Sequence, residues 1–175
     1  VVAVSLKKKM QDQVSQLTQL GVPAVCLNSS LDLMQYEENV ADVRSGKIKL
    51  LYVAPETLFL PRIQTLLKQV RVDCLTIDEA HCISDWGHDF RPEYRKLVEM
   101  RGKFPHAVTI ALTATATAQV RADIKEQLAI PDSHEFVASF DRKNLVLNVL
   151  PKSSPESQVL GILRTHQGES GIIYC

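Results

Sequence analysis

Hydrophobic positions along the chain alternate between two periods. Residues 1–5 form a short β-branched and apolar run that predicts a strand. Met10, Val14, Leu17 and Leu20 then recur at helical spacing until Gly21 offers a stop. Residues 22–27 are again strand-like. Leu33, Met34, Tyr36, Val40 and Val43 mark a second helix, with Asp32 placed to cap it and Gly46 at its end. The pattern continues with a strand over 48–53, a helix over 61–70 that tolerates Pro61 in its first turn, and a continuously apolar strand over 72–77. A helix over 92–103, a fifth strand over 107–112 and a helix over 120–128 follow. After about residue 139 the pattern restarts, with a strand over 144–150, a turn over 151–155, a helix over 156–166 and a strand over 171–175.

Strands that alternate with helices and are apolar on both faces belong to a parallel sheet covered by helices. The expected fold class is therefore α/β, a doubly wound parallel sheet in which ligands sit at the carboxyl ends of the strands. The restart divides the chain into 1–139 and 140–175. Both ends read as buried strands, an expectation of a piece of a longer polypeptide. The lysines of the first segment follow its apolar stretch, unlike those of a signal peptide.

Composition changes this picture little. The chain has 175 residues, 45% of them hydrophobic, with 20 Lys+Arg against 20 Asp+Glu. Disorder through low hydrophobicity and high net charge is excluded. No apolar run approaches the roughly 18–20 residues of a membrane helix, so no membrane partner is expected. Zero net charge means that a nucleic-acid partner has to be argued from a local patch. Cys26, Cys74, Cys82 and Cys175 form no C-x-x-C pair and have no His at metal-ligand spacing, which suits packed, reduced thiols.

The most informative octet is Cys74-Leu75-Thr76-Ile77-Asp78-Glu79-Ala80-His81. A buried strand ends there in two carboxylates, at the place where a nucleotide would lie. Phosphoryl transfer to water needs one carboxylate to hold Mg²⁺ and another to orient and deprotonate the attacking water. Asp78 fits the first role and Glu79 the second. The plainer reading is that Asp-Glu caps a helix that follows the strand.

Four-letter D-E-A-H is also the motif of a helicase superfamily with two RecA-like lobes. The stretch Cys82-Ile83-Ser84-Asp85-Trp86-Gly87-His88-Asp89-Phe90-Arg91-Pro92-Glu93-Tyr94 closely resembles the aromatic-rich loop of RecQ-type DNA helicases. Met10-x-Asp12-Gln13-Val14, Leu27-Asn28-Ser29 and Leu51-Tyr52-Val53-Ala54-Pro55-Glu56 resemble that family's upstream motifs. Ala111 to Ala116 resembles motif III, Ser139-Phe140-Asp141-Arg142 the segment leading into the second lobe, and 170–175 its motif IV strand. The resemblance implies a RecA-like sheet of the P-loop NTPase type, truncated at both ends, with 1–139 as most of the first lobe and 140–175 as the start of the second. It implies an ATP-dependent helicase that uses Mg²⁺, unwinds DNA with 3′-to-5′ polarity and works in repair and recombination. Its partners would be ATP and DNA, especially single-stranded and partial-duplex DNA. It would reside beside the chromosome, in the cytoplasm of a bacterium or the nucleus of a eukaryote.

Within that resemblance, Asp78 and Glu79 contact the nucleotide and its metal, His81 lies one step toward the DNA, and Thr113 and Thr115 link nucleotide state to DNA grip through hydrogen bonds to the acidic pair or to His81. An ST-turn or N-cap before the next helix is the structural alternative for the threonines. Trp86, Phe90 and Tyr94 offer flat faces for bases, His88 and Arg91 offer donors for phosphate or base edges, and Gly87 gives the loop freedom. The alternative is that the aromatics anchor the loop in the core. Lys7, Lys8 and Lys9 with Arg91, Arg95, Lys96, Arg101 and Lys103 form either a local basic surface or a solvated helix face.

Several positions depart from the family pattern. Ser5 stands in place of a proline, and Lys7 to Lys9 replace a more neutral stretch. Asp85 replaces Gln or Glu beside the DNA-sensing loop, where a carboxylate would repel phosphate. Lys143 replaces a proline. None of the seven glycines begins a G-x-x-x-x-G-K-[ST] loop, so these residues alone are not expected to hydrolyse ATP. That departure keeps one rival open, a catalytically silent nucleic-acid-binding or interaction module derived from a helicase. A second rival, an RNA helicase of the D-E-A-D/H group, shares the acidic box and motif III but lacks the Trp86 to Tyr94 loop.

Overall fold

The computed structural model describes residues 1–4, 7–138 and 143–174. They fall into two units, Val1–His134 and Glu135–Cys175. The expected boundary at 139/140 and the segment Ser139 to Arg142 lie outside the described residues, as do Ser5 and Cys175.

The first unit is built on five strands, β1 (Val2–Val4), β2 (Ala24–Leu27), β3 (Leu50–Val53), β4 (Cys74–Ile77) and β5 (Val108–Ala111), all parallel, in the order β2-β3-β1-β4-β5. Between them run α1 (Lys7–Gln19), α2 (Leu33–Arg44), the short α3 (Pro55–Leu58), α4 (Pro61–Lys68), α5 (Pro92–Arg95) and α6 (Leu97–Lys103), with α7 (Ala118–Gln127) after β5. The five strands expected over 1–112 form, β2 to β5 each trimmed by a residue or two at its ends. Asp32 caps α2 by accepting from the Gln35 N–H at 2.8 Å. Gly21 ends α1 at φ 76°, a conformation that suits glycine. The helix expected over 92–103 is broken at Lys96 into α5 and α6, and α3 was not legible as a helix.

Alternation along the strands sorts residues between two faces. Leu27, Leu51, Val53, Leu75 and Ile77 join one large core with Ile63, Leu67, Leu97, Met100 and Leu128 from the helices. On the other face α1 packs against β2 and β3 through Met10, Cys26 and Ala54. Buried Cys26 and Cys82 and half-buried Cys74 are free thiols, as expected. Sequence order reverses around β1: the chain lays β2 and β3 on one side of it and then crosses to β4 on the other. The carboxyl ends of β1 and β4 therefore border the crevice where this class of sheet takes its ligands.

In the second unit the regular element is α8 (Pro155–Thr165), with Pro155 at its first position and Gln158 Nε2 donating to the Pro151 carbonyl at 2.9 Å. The strands expected over 144–150 and 171–175 do not form among the described residues. A strand needs a ladder partner, and an apolar run without one stays open: Leu147, Val149, Ile172 and Tyr174 are all exposed. Among the described residues no helix is long and apolar enough to cross a membrane.

Candidate functional site

β4 delivers Asp78 and Glu79 at its carboxyl end. The chain turns sharply there because Glu79 adopts the left-handed conformation, φ 50° and ψ 42°, and Asp78 Oδ1 accepts from the Glu79 N–H at 2.9 Å. A non-glycine residue in this region is uncommon and is held by its surroundings. Ala80–Ile83 follows as one 3-10 turn, with all four residues buried. The helix-capping alternative is thus met only in part, because Glu79 makes no side-chain cap. Instead its carboxylate is engaged from two sides: Oε1 pairs with Lys9 Nζ of α1, and Oε2 lies 3.4 Å from His81 Nδ1.

The segment after β5 is locked to this turn by main-chain bonds that prolong the β4–β5 ladder. Leu112 N–H donates to the Ile77 carbonyl and Ala80 N–H to the Leu112 carbonyl, both at 2.8 Å. That register brings Thr113 Oγ1 within 2.8 Å of His81 Nδ1. Thr113 Oγ1 also accepts from the Thr115 N–H at 3.2 Å, so the ST-turn and the link to His81 coexist. Thr113 Oγ1 also lies 3.4 Å from the Thr115 carbonyl, so it has a partner for its proton there as well as at His81 Nδ1, and the direction of the Thr113–His81 bond follows the tautomer of the ring. Thr115 enters through its main chain, and Thr117 caps α7 by accepting from the Val120 N–H at 3.3 Å.

Burial, reinforced by the neighbouring His88, pushes the His81 imidazole below its ordinary value. It is therefore neutral at neutral pH and serves as a hydrogen-bonding group. His88 stacks on it, ring centroids 4.3 Å apart at 20°. A direct contact thus joins the acidic turn to the aromatic loop.

The loop itself is pinned at its base. Arg91 N–H donates to the Cys82 carbonyl at 2.8 Å, Gly87 N–H to the Ser84 carbonyl at 3.0 Å, and Trp86 N–H to Ser84 Oγ at 3.2 Å. Glycine at 87 serves close approach, correcting the expectation of freedom: a Cβ there would stand 2.4 Å from the His81 carbonyl oxygen. Trp86 is 69% exposed and Phe90 37%. Tyr94 is fully buried in the large core, so the expectation of a base-stacking face at Tyr94 is corrected to a core anchor. Its phenol is pushed up by burial. The cause is position: Pro92 starts α5, and Tyr94 falls on the inward side of that single turn.

The cations of the loop are partly neutralised. Arg91 forks onto Asp89 Oδ2 through Nε at 3.1 Å and Nη2 at 2.8 Å. Asp85 pairs with Arg95, whose guanidinium lies 4.8 Å from the Phe90 ring centroid. Asp85 therefore organises the loop, beyond the simple repulsion expected of it. Sequence reasoning missed the pairing of Lys9 with Glu79 and the placement of Arg95 over Phe90, because both partners in each case are brought together by the fold. The side chains of Lys7 and Lys8 lie outside the described residues. Cys82, behind the turn, is pushed up to about 11 by burial and is inert as a nucleophile.

The site suits a magnesium nucleotide. Among the described residues no group of three or more His, Cys, Asp or Glu forms a protein cage for a metal. Mg²⁺ is commonly held by one or two carboxylates together with substrate phosphates and waters, and Asp78 supplies the hard oxygen donors for that arrangement.

The chain is 43% identical over 166 residues to the ATP-dependent DNA helicase RecQ of Pasteurella multocida, covering 95% of this chain and 26% of that protein. It is 38% identical over 178 residues to the ATP-dependent DNA helicase Q1 of Pongo abelii, covering 95% of this chain and 27% of the relative. The RecQ-like DNA helicase BLM of Xenopus laevis is 39% identical over 188 residues, with all of this chain and 14% of that one covered. The chain thus spans about a quarter or less of these curated relatives. Among solved structures, the Hef helicase domain of Pyrococcus furiosus superposes with a TM-score of 0.50 at 16% identity, over 74% of this chain and 27% of that one, which supports the RecA-like fold. A sequence model of the DEAD/DEAH box helicases matches residues 1–124, well over half of the chain, and the chain therefore belongs to the DEAD/DEAH box helicase family.

Proposed function

We propose that these residues work within a longer ATP-dependent DNA helicase of RecQ type, with 3′-to-5′ polarity, acting on single-stranded and partial-duplex DNA in repair and recombination. On this reading Val1–His134 is most of the first RecA-like lobe, and the second unit opens the next lobe. No segment of the 175 residues has the G-x-x-x-x-G-K-[ST] pattern. Turnover is accordingly assigned to the longer protein, beside the chromosome in either kind of cell.

The observation that carries the reading is the continuous path from Glu79 through His81 to Thr113 on one side and His88 on the other. Asp78 would hold Mg²⁺, directly or through water. Bound MgATP supplies the phosphoanhydride and the cation that neutralises its charge. Glu79 orients water and takes its proton on a carboxylate oxygen. His81, neutral and fixed by Thr113, transmits a shift of the acidic turn to the loop through His88. Trp86 and the open part of Phe90 stack bases, and the exposed edge of Arg91 meets phosphate.

Glu79→Gln in the full-length protein tests the centre of this reading. Nucleotide binding should persist while DNA-stimulated ATP hydrolysis falls by about 10²–10⁴-fold, the usual worth of a general base. Near-normal turnover would remove Glu79 from that role.

A further inference from the structure

The acidic turn is gripped from outside by a residue that the family resemblance does not use. Lys9, in the first turn of α1, pairs its Nζ with Glu79 Oε1 across 70 residues of sequence. The contact joins the helix that follows β1 to the turn that follows β4, at the crevice where strand order reverses. The partners are unequally wetted: the Lys9 side chain is 51% exposed and that of Glu79 15%. A carboxylate so withdrawn from water takes its direction from its partners, and a charged donor is the strongest of them. The hydrogen bond to Glu79 is also the chief reason that Lys9 is raised above its ordinary value. The lysine belongs to the stretch Lys7 to Lys9, which departs from the more neutral pattern of the resembled family.

We propose that Lys9 is a positioning residue for the hydrolytic base. Its ammonium holds Glu79 Oε1 toward the end of β1, so that the other carboxylate oxygen, beside His81, is left to receive the proton from water. The inference rests on the assignment of Glu79 as that base.

The test compares Lys9→Leu, Lys9→Arg, Glu79→Gln and the Lys9→Leu/Glu79→Gln double variant in the full-length protein. The readouts are single-stranded-DNA-stimulated ATP hydrolysis and thermal unfolding. Lys9→Leu should lower kcat by about five- to tenfold with KM for ATP within about twofold, the signature of a lost transition-state contact. Because pairs with an exposed partner add little to stability, Tm should stay within about 2 °C. Lys9→Arg should restore most of kcat, and the double variant should be no slower than Glu79→Gln alone, because two residues acting as a unit are not additive. An unchanged or raised kcat in Lys9→Leu, a loss confined to KM, a matching loss of Tm, or no recovery with Arg overturns the role given to Lys9. Normal turnover by Glu79→Gln overturns the base assignment instead, whatever the Lys9 variants do.

Discussion

Residues 78–83 and 84–91 are consecutive in the chain and are held by different forces. The first stretch is half-buried at Asp78 and Glu79 and buried from Ala80 to Ile83: its main chain extends the β4–β5 ladder, and its imidazole is neutral and tied to Thr113. The second stands out from the body, pinned mainly at its base, with its largest ring open to solvent and its charges paired in Asp89–Arg91 and Asp85–Arg95. A turn held within the body and a loop standing out from it are thus built from one segment, and they carry the proposed hydrolytic and DNA-sensing roles respectively. The His81–His88 stack, the approach of Gly87 to the His81 carbonyl and the Arg91 N–H bond to the Cys82 carbonyl couple them.

The contrast between Tyr94 and Trp86 gives the largest test of this division. Tyr94→Ala removes a fully buried ring and should cost about 3–5 kcal/mol of stability by denaturant unfolding. Trp86→Ala should leave stability within about 0.5 kcal/mol, while weakening single-stranded DNA binding by about 1–3 kcal/mol. Equal effects on stability would erase the division.

Gly87→Ala breaks the coupling itself. Its Cβ meets backbone, which cannot swing away as a flexible side chain would, so the loop must shift at a cost of about 1–3 kcal/mol. ATP hydrolysis should lose its stimulation by DNA more than its basal rate. Full stimulation would show that the close approach is dispensable.

The smallest expected effect is on pH dependence. The folded-state value of His81 is depressed below that of the unfolded chain, so the unfolded state binds the proton more readily. Stability from this group is complete above about 6.5, its ordinary value. It declines as the pH falls below that and levels off once the depressed folded value has been passed. Thermal unfolding between neutral and mildly acid pH should show this decline, and His81→Gln should flatten it. An unaltered slope in that variant would place the titration elsewhere.

Much of this was legible beforehand. The period of Leu51 to Val53 and of Leu75 to Ile77 announced buried parallel strands, because a strand covered on both faces leaves few polar and no charged positions. Asp78 and Glu79 were readable because strand, turn and chemistry are contiguous there. The helix break at Lys96 and the inward turn of Tyr94 were not, because one residue of phase decides which way a side chain points, and phase is set by the packing of α5. The strand-like 144–150 shows the converse: Leu145 to Leu150 has the composition of a strand and lacks a ladder partner among the described residues.

Local sequence determined the elements that carry their own signal, namely the sheet strands, the cap at Asp32 and the acidic octet with its aromatic sequel. Contacts between distant segments came only with folding: Lys9 against Glu79, Thr113 against His81, and Gly87 beneath a carbonyl six residues back around a turn. Propensity and periodicity act over one or two turns of chain. Hydrogen bonds, ion pairs and steric limits act over a few ångströms of space, and only the parallel sheet brings residues 9, 79 and 113 within that range.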